Sequence, residues 1–359
     1  MNLKRKRILY VTPLKIAFFA LDQKLLAEKY EVIPYFLEAK PSGAGNLYAL
    51  VALAFYILRH GRKMDAMITW FGDYHSAVMA FFGKLLHIRV IIFAGGQEAI
   101  CYPEIRKGVY LKKFRGKVVK YALRNATHVV PNHASLLYHE NYYYTPDGKK
   151  DGIRYYIPDI QTPMTIIPNG INTDSYFRDP GIEKEPDRVL TVGSMGSTFD
   201  FINKGFDLFT ELARRNPDLK FTLTGVKRQF LPWMEANYHV GSIPNLELVY
   251  FYVTDEDLFR NYNRAKVFVQ ASITEGMPNT LSEAMLCECI PVGSNVNGIP
   301  DAMGGTGVLV YHRSVEELEQ AVRKALTMDT GSRARQHALN NFTYAIRKEK
   351  LLDLLEKIL

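Results

Sequence analysis

The sequence predicts an α/β protein made of two doubly wound domains, and three observations lead there. Short β-branched runs alternate with stretches of helical length, which implies crossover units and parallel sheets. The alternation occurs twice, restarting after Pro180 without visible sequence repetition. At 359 residues the chain is also too long for one ordinary core.

In the first half, residues 8–11, 32–35, 66–69, 90–93, 128–130 and 165–167 read as strands, and 47–59, 76–86 and 110–124 as helices. Residues 139–163 interrupt the series. With Tyr142, Tyr143, Tyr144, Gly148, Gly152, Tyr155 and Tyr156 they read as an aromatic insertion or hairpin. In the second half, strands are expected at 189–192, 220–224, 246–251, 267–270, 290–292 and 308–310, and helices at 206–214, 255–265, 280–287 and 315–326. The domains are therefore expected at 1–170 and 171–343, joined near 171–180. A final helix over 344–359 can pack on either domain, including a return to the first.

Composition narrows the class. Hydrophobic residues make up 47% and charged residues 23%, as in a globular protein. Three cysteines, Cys101, Cys287 and Cys289, cannot make a disulfide framework and lack metal-ligand spacing, so a cytoplasmic location is expected. The basic start reads as a cap on the first strand, because Pro13 and Lys15 break the apolar run a leader needs. No run reaches the roughly 20 apolar residues of a membrane span, the nearest being 47–58. Residues 1–170 carry 24 Lys and Arg against 12 Asp and Glu, whereas the remainder carries 21 against 25. Eight of those cations lie in 106–124 with no acid, interleaved with Val109, Leu111, Phe114, Val118, Val119 and Tyr121. Two readings stay open for this stretch: a helix lying on the anionic inner face of a membrane, or one packed on the sheet with a solvated basic face. No nucleic-acid module accompanies it, so nucleic acid is not an expected partner.

The densest chemistry lies in 267–301, VFVQASITEGMPNTLSEAMLCECIPVGSNVNGIPD, a strand, helix, strand pattern. Glu275 falls on the loop at the strand's carboxyl end and Glu283 on the first turn of the helix, with Gly276, Met277, Pro278, Asn279 and Thr280 between them. In open α/β sheets that edge binds ligands. A second reading of Thr280-Leu281-Ser282-Glu283 is a capping box, which makes Glu283 structural. Asp255-Glu256-Asp257 could be taken for a metal-binding acidic triplet, but it opens an expected helix, where acids offset the dipole. No metal is expected.

The Glu275 to Glu283 pair, with Pro168-Asn169-Gly170-Ile171-Asn172, Lys204-Gly205-Phe206 and Gly307-Val308-Leu309-Val310, resembles the retaining glycosyltransferases of family 4, among the glycosyl transferases group 1. The resemblance implies the GT-B fold, α/β with two Rossmann-like domains facing a cleft. It places Glu275 beside a donor sugar and Glu283 on the nucleotide ribose. The diphosphate would sit on the amides of 276–280 at the helix start, with Gly193 nearby and Lys204 neutralising the leaving charge. Where the family has Gly-Arg after the first strand of this domain, the chain has Gly193-Ser194, so Lys227 or Arg228 is the candidate replacement cation. Glu288 stands where the family commonly has a glycine, a matter of backbone tolerance. In the first domain a family histidine is replaced by Ala94-Gly95-Gly96-Gln97-Glu98, with Gln97 or Glu98 as polar contacts; His75 and His133 follow strand ends but receive no role.

The expected activity is metal-independent, retaining transfer of a hexose-type sugar from a nucleotide diphosphate sugar, a UDP-sugar ahead of a GDP-sugar, without further cofactor. The acceptor is a glycan or lipid-linked glycan in cell-surface polysaccharide or lipopolysaccharide synthesis, bound by the first domain. A sugar-nucleotide epimerase of the same fold and a catalytically degenerate binding subunit are the rivals.

Overall fold

The computed structural model describes residues 5–14, 17–38, 43–250 and 255–359. The chain divides into two units, one comprising Met1–Tyr138, Asp151–Pro168 and Arg347–Leu359, the other His139–Lys150 and Asn169–Ile346. Lys15 and Phe251, which figure in the sequence expectations, lie outside the described residues, as do residues 1–4.

Unit 1 runs β1 (Arg7–Thr12), α1 (Ala17–Ala27), β2 (Glu31–Phe36), α2 (Gly43–His60), β3 (Ala66–Trp70), α3 (Tyr74–Leu86), β4 (Arg89–Ala94), α4 (Lys113–Asn125) and β5 (His128–Pro131). The sheet is parallel, in the order β2-β1-β3-β4-β5. Alternate residues point to opposite faces. Ile8, Tyr10, Ile68, Trp70, Ile91 and Phe93 therefore share one face, where they pack with Phe19 and Leu26 of α1. Right-handed crossovers place α2, α3 and α4 on the other face, because the chain steps from β2 past β1 to β3, β4 and β5. There α2 packs on α3 and α3 on α4.

A short hairpin follows, β6 (His139–Asn141) and β7 (Lys149–Asp151), then a single helical turn, α5 (Ile153–Tyr156). The expectation put all of it in the first domain. Instead His139–Lys150 belongs to unit 2, because Asn141 Nδ2 donates to the Ile273 carbonyl at 2.7 Å and the buried Tyr143 hydroxyl to that of Ala271 at 3.3 Å. Residues 165–167 form no strand; Thr165 and Ile167 run extended beside β5, donating to the Val129 and Pro131 carbonyls. The helix α1 was not anticipated, and the basic helix starts three residues later than the periodicity suggests, after a 3-10 turn at Val109–Leu111.

Unit 2 continues with β8 (Glu185–Val192), α6 (Thr198–Asn203), α7 (Phe206–Arg215), β9 (Lys220–Val226), α8 (Leu231–Tyr238), β10 (Leu246–Tyr250), α9 (Asp255–Arg264), β11 (Ala265–Gln270), α10 (Asn279–Leu286), β12 (Ile290–Ser294), α11 (Ile299–Met303), β13 (Val308–Val310), α12 (Val315–Leu326) and α13 (Gly331–Asn341). Its parallel sheet has the order β10-β9-β8-β11-β12-β13. Glu288, in the turn before β12, has φ +61°, the left-handed region that a glycine enters without strain, which explains the family preference there.

The last helix, α14 (Tyr344–Ile358), places Leu351, Leu354 and Leu355 in the core of unit 1. Its anchor is Arg347, whose Nε and Nη2 donate to Asp22 Oδ1 and Oδ2 at 2.8 and 2.7 Å. Both side chains are buried. Trp70 Nε1 also donates to Asp22, and Arg347 Nη1 donates to the Pro168 carbonyl, so each charge keeps several polar partners.

Candidate functional site

In an open parallel sheet, a crevice opens where neighbouring strands send their connections in opposite directions. In unit 2 that point lies between β8 and β11, since β8 leads toward β9 and β11 toward β12. The loops after these two strands carry most of the residues expected from the sequence. Gly193 follows β8 directly, and 271–278 connects β11 to α10.

The β11–α10 loop is fixed from three directions. Asn297 Oδ1 accepts from the Glu275 amide at 3.1 Å and from Thr274 Oγ1 at 3.2 Å, and the Gly298 amide donates to the Gly276 carbonyl at 3.0 Å. Asn169 Nδ2 donates to Asn279 Oδ1 at 2.8 Å and to the Met277 carbonyl at 3.3 Å. The Ile273 amide donates to the Asn203 carbonyl, just before Lys204. His139 Nε2 in turn accepts from the Asn297 amide at 3.2 Å. The motifs around Asn169 and Asn297 thus brace the loop between the two glutamates.

Lys204 caps the end of α6, and Gly205 follows at φ +71°. A Cβ on Gly205 would stand 2.3 Å from the Ala271 carbonyl oxygen, so only glycine allows α7 to start against this loop. Gly193 lies against the ring of Phe206, whose Cζ would stand 3.1 Å from an added Cβ, and in ordinary contact with the Lys204 stem. The outcome is a two-pronged ion pair, Lys204 Nζ donating to Glu275 Oε1 and Oε2 at 2.9 and 2.8 Å. About a fifth of each side chain is exposed, 20% for Lys204 and 21% for Glu275, so the pair is open to a ligand.

The capping-box reading fails. The helix α10 begins at Asn279 with Pro278 as its N-cap and no side-chain cap, and Thr280 Oγ1 donates instead to Gln270 Oε1 at 3.2 Å. Glu283 is consequently in the second turn, not the first, and its Oε2 accepts from the Tyr262 hydroxyl at 2.9 Å. Burial, reinforced by Glu283, pushes the Tyr262 phenol well above its ordinary pKa, which keeps it a donor. The first amides of a helix without a side-chain cap are suited to an anion.

Other expected residues lie elsewhere. Ser194, in the place of the family arginine, is exposed. Arg228 is also exposed, and its guanidinium lies 4.7 Å from the centre of the Tyr250 ring; that contact does not join it to the Lys204–Glu275 pair. Glu98 is not a ligand contact: it is fully buried and accepts from the Gly72, Gly95 and Gly96 amides at 3.3, 3.1 and 3.0 Å. His75 is buried against the Trp70 carbonyl, and His133 Nδ1 accepts from the Ser135 amide. Asp255–Arg264 is a helix, as the sequence suggests for the stretch opened by the acidic triplet. Among the described residues no group of three His, Cys, Asp or Glu is arranged to hold a metal.

Unit 1 has its own switch point, between β1 and β3. A cavity of about 570 Å³ opens there, walled by Leu14, Leu37, Leu50, Phe71 and Val109 and edged by Lys112. Phe71 has φ +69° and its ring covers Gly95, where an added Cβ would come within 2.6 Å of Cε1. Arg115, also at the edge, is held by Asp73 through Nε at 3.1 Å and Nη2 at 2.5 Å.

Two parallel sheets, each with its crevice at the carboxyl end of its strands, define the GT-B fold, and in unit 2 a Lys–Glu pair lies beside an uncapped helix start at that crevice. Residues 186–328 match the model of the family described as "Glycosyl transferases group 1". The chain is 30% identical over 112 residues to the serotype-specific mannosyltransferase WbdA of Escherichia coli, an alignment covering 30% of this chain and 14% of that protein. It is 26% identical over 220 residues to the phosphatidylinositol N-acetylglucosaminyltransferase GPI3 subunit of Saccharomyces cerevisiae, covering 55% of this chain and 44% of that one. The chain thus spans less than half of either curated relative. The solved structure of Anabaena HepE in complex with UDP-glucose superposes with a TM-score of 0.70 at 14% identity, over 98% of this chain and 99% of HepE.

Proposed function

We propose that this chain is a retaining, metal-independent glycosyltransferase that moves a hexose-type sugar from a nucleotide diphosphate sugar to a glycan or lipid-linked acceptor. The single observation that carries the reading is the Lys204–Glu275 pair at the switch point of unit 2, next to the uncapped start of α10. On donor binding, Glu275 exchanges the lysine for sugar hydroxyls, which donate to its carboxylate. Lys204 then faces the diphosphate, whose other oxygens take the amides of 276–280. Glu283, held by Tyr262, accepts from the ribose hydroxyls.

The bond between the anomeric carbon and the diphosphate oxygen breaks with its electron pair going to that oxygen, where Lys204 and the helix start stabilise the charge. The acceptor hydroxyl attacks from the same face and gives its proton to the departing phosphate. This preserves the anomeric configuration without a side-chain nucleophile. Charge neutralisation by a lysine and amides is the basis for metal independence.

A UDP-sugar is preferred over a GDP-sugar on the strength of the HepE complex. The apolar cavity of unit 1, with Lys112 at its edge, suits an acceptor with an apolar portion and an anionic group, in line with the phosphatidylinositol named for the yeast relative. Synthesis of a cell-surface polysaccharide or lipopolysaccharide from the cytoplasmic side agrees with the serotype-specific relative and with three cysteines that form no disulfide.

A thermal-shift panel of nucleoside diphosphates tests the donor. UDP at about 100 times its Kd should raise stability by roughly 2.7 kcal/mol. A flat response to every nucleotide overturns the reading. Incubating the responding nucleotide sugar without acceptor separates the epimerase rival, which changes the sugar, from a transferase, which at most hydrolyses it slowly.

A further inference from the structure

The helices on one face of unit 1 have a composition unlike the rest of the molecule. Together α2, α3 and α4 contain no Asp or Glu but seven cations, Arg59, Lys84, Lys113, Arg115, Lys117, Lys120 and Arg124. On the opposite face, α1 and α14 mix Asp22, Glu349, Asp353 and Glu356 with their bases. In unit 2 the amphipathic helix α12 likewise carries Glu316, Glu317 and Glu319 beside Arg323 and Lys324.

The same acid-free layer exposes large apolar side chains. On α2, Leu47, Tyr48, Val51, Phe55 and Leu58 are 64, 73, 58, 66 and 49% exposed. Their spacing puts them within an arc of about 100° on one side of the helix. Ala49, Leu53 and Ile57 are buried on the inward side, so α2 is apolar on both sides although only one faces the protein. On α3, Phe81 and Leu85 add 52 and 56% exposure one turn apart, and on α4 Phe114 is 71% exposed. This arrangement changes the expectation for the basic stretch 106–124. The helix α4 spends Val119, Ala122 and Leu123 on the protein interior, so by itself it supplies mainly charge. The outward apolar ridge comes from α2, two helices away in the same layer.

We infer that the outer surface of the α2–α3–α4 layer docks on an anionic lipid bilayer, with the α2 ridge in the interfacial region and the α4 cations on the headgroups. Both halves of an interfacial anchor are present, apolar area and a basic collar. No helix of the described residues is long and apolar enough to cross a membrane, so the contact lies on the surface. Of the five α4 cations, Arg115 pairs with Asp73, Arg124 with Asp159, and the half-buried Lys120 lies over the Tyr110 ring, which leaves Lys113 and Lys117 as the exposed α4 members of the collar. A protein partner or a second copy would bury the ridge equally well, but neither accounts for the absence of every carboxylate from three consecutive helices.

The full chain is mixed with phosphatidylglycerol–phosphatidylcholine vesicles and with pure phosphatidylcholine vesicles, at low and high salt, and sedimented. Binding is expected on the anionic vesicles and should weaken with salt. Lys113→Glu with Lys117→Glu should lower the partition coefficient by roughly fivefold per residue. Leu47→Gln with Val51→Gln and Phe55→Gln should lower it about tenfold or more. All five side chains are exposed, so helical content and the nucleotide-induced thermal shift should be unchanged, which keeps this outcome separate from any failure of the donor-site reading. Equal binding to both vesicle types, absence of binding at low salt, or wild-type binding by both variants overturns the inference. So does light scattering that shows the wild type as a dimer and the Gln variant as a monomer, since a second copy would then cover the ridge.

Discussion

Two ion pairs in this chain have similar chemistry and opposite purposes. Arg347 and Asp22 sit in unit 1 with 4 and 2% of their side chains exposed, whereas Lys204 and Glu275 in unit 2 retain 20 and 21%. The buried pair is surrounded by further partners, Trp70 Nε1 on the carboxylate and the Pro168 carbonyl on the guanidinium. The open pair satisfies its charges chiefly against each other. A buried, multiply bonded pair is hard to break because either survivor would be left charged in a dry interior. An open pair gains little and can be exchanged for a ligand. The first therefore holds α14 on unit 1, and the second is the pair that the proposed donor would displace.

The largest effect is expected from breaking the buried member. Arg347→Ala should destabilise unit 1 by about 3–5 kcal/mol, measured by urea unfolding, since Asp22 loses its two-pronged partner. Arg347→Met should cost less than Arg347→Ala if packing between Trp70 and Phe93, whose ring centres lie 5.3 and 5.5 Å from the guanidinium carbon, is part of the contribution. A change below 1 kcal/mol in Arg347→Ala would make the two pairs equivalent and remove the contrast.

For the open pair the order of effects reverses. Lys204→Ala and Glu275→Ala should each lower kcat by about 10²–10³-fold, the scale for losing one preorganised charge-stabilising group. Stability should change by no more than about 1 kcal/mol, because a partly exposed pair contributes little to folding. Nucleotide binding should persist in Glu275→Ala, whose proposed contacts are to the sugar. If turnover survives either change, the pair is a surface ornament and the degenerate-subunit rival gains.

The contrast also separates what the sequence conveys from what it conceals. Alternating β-branched and helical stretches made both sheets legible, because the period of each element is local. Glu275, Lys204 and Gly193 were legible through their motif, and the geometry brings all three together. The bracing contacts were not: Asn169 and Asn297 stand in the quoted stretches, but they and His139 act across 110, 22 and 158 residues, and only the folded chain joins them to the loop. Glu98 misled for the opposite reason. A carboxylate beside two glycines reads as solvent- or ligand-facing, yet three backbone amides make it an internal strut. The hairpin His139–Lys150 precedes the unit boundary in sequence but follows its contacts in space, a choice made by Asn141 and Tyr143 rather than by chain order.

The smallest effect concerns Glu283, which lies between the two extremes. Its carboxylate is partly buried and takes a hydrogen bond from the fully buried Tyr262, so it resembles the structural pair on one side and the open pair on the other. Tyr262→Phe removes one hydroxyl while leaving the ring that packs against Phe268 and Tyr176. The lost bond to a charged group is worth about 1.5–3 kcal/mol. If Glu283 holds the ribose, part of that loss should appear as a nucleotide Kd raised roughly five- to tenfold, with kcat little changed, because Tyr262 orients the carboxylate and does not touch the reacting atoms. If Glu283 serves only the fold, the whole loss should appear as a lower Tm while titration calorimetry returns the wild-type Kd. The single substitution thus decides to which of the two kinds of charge Glu283 belongs.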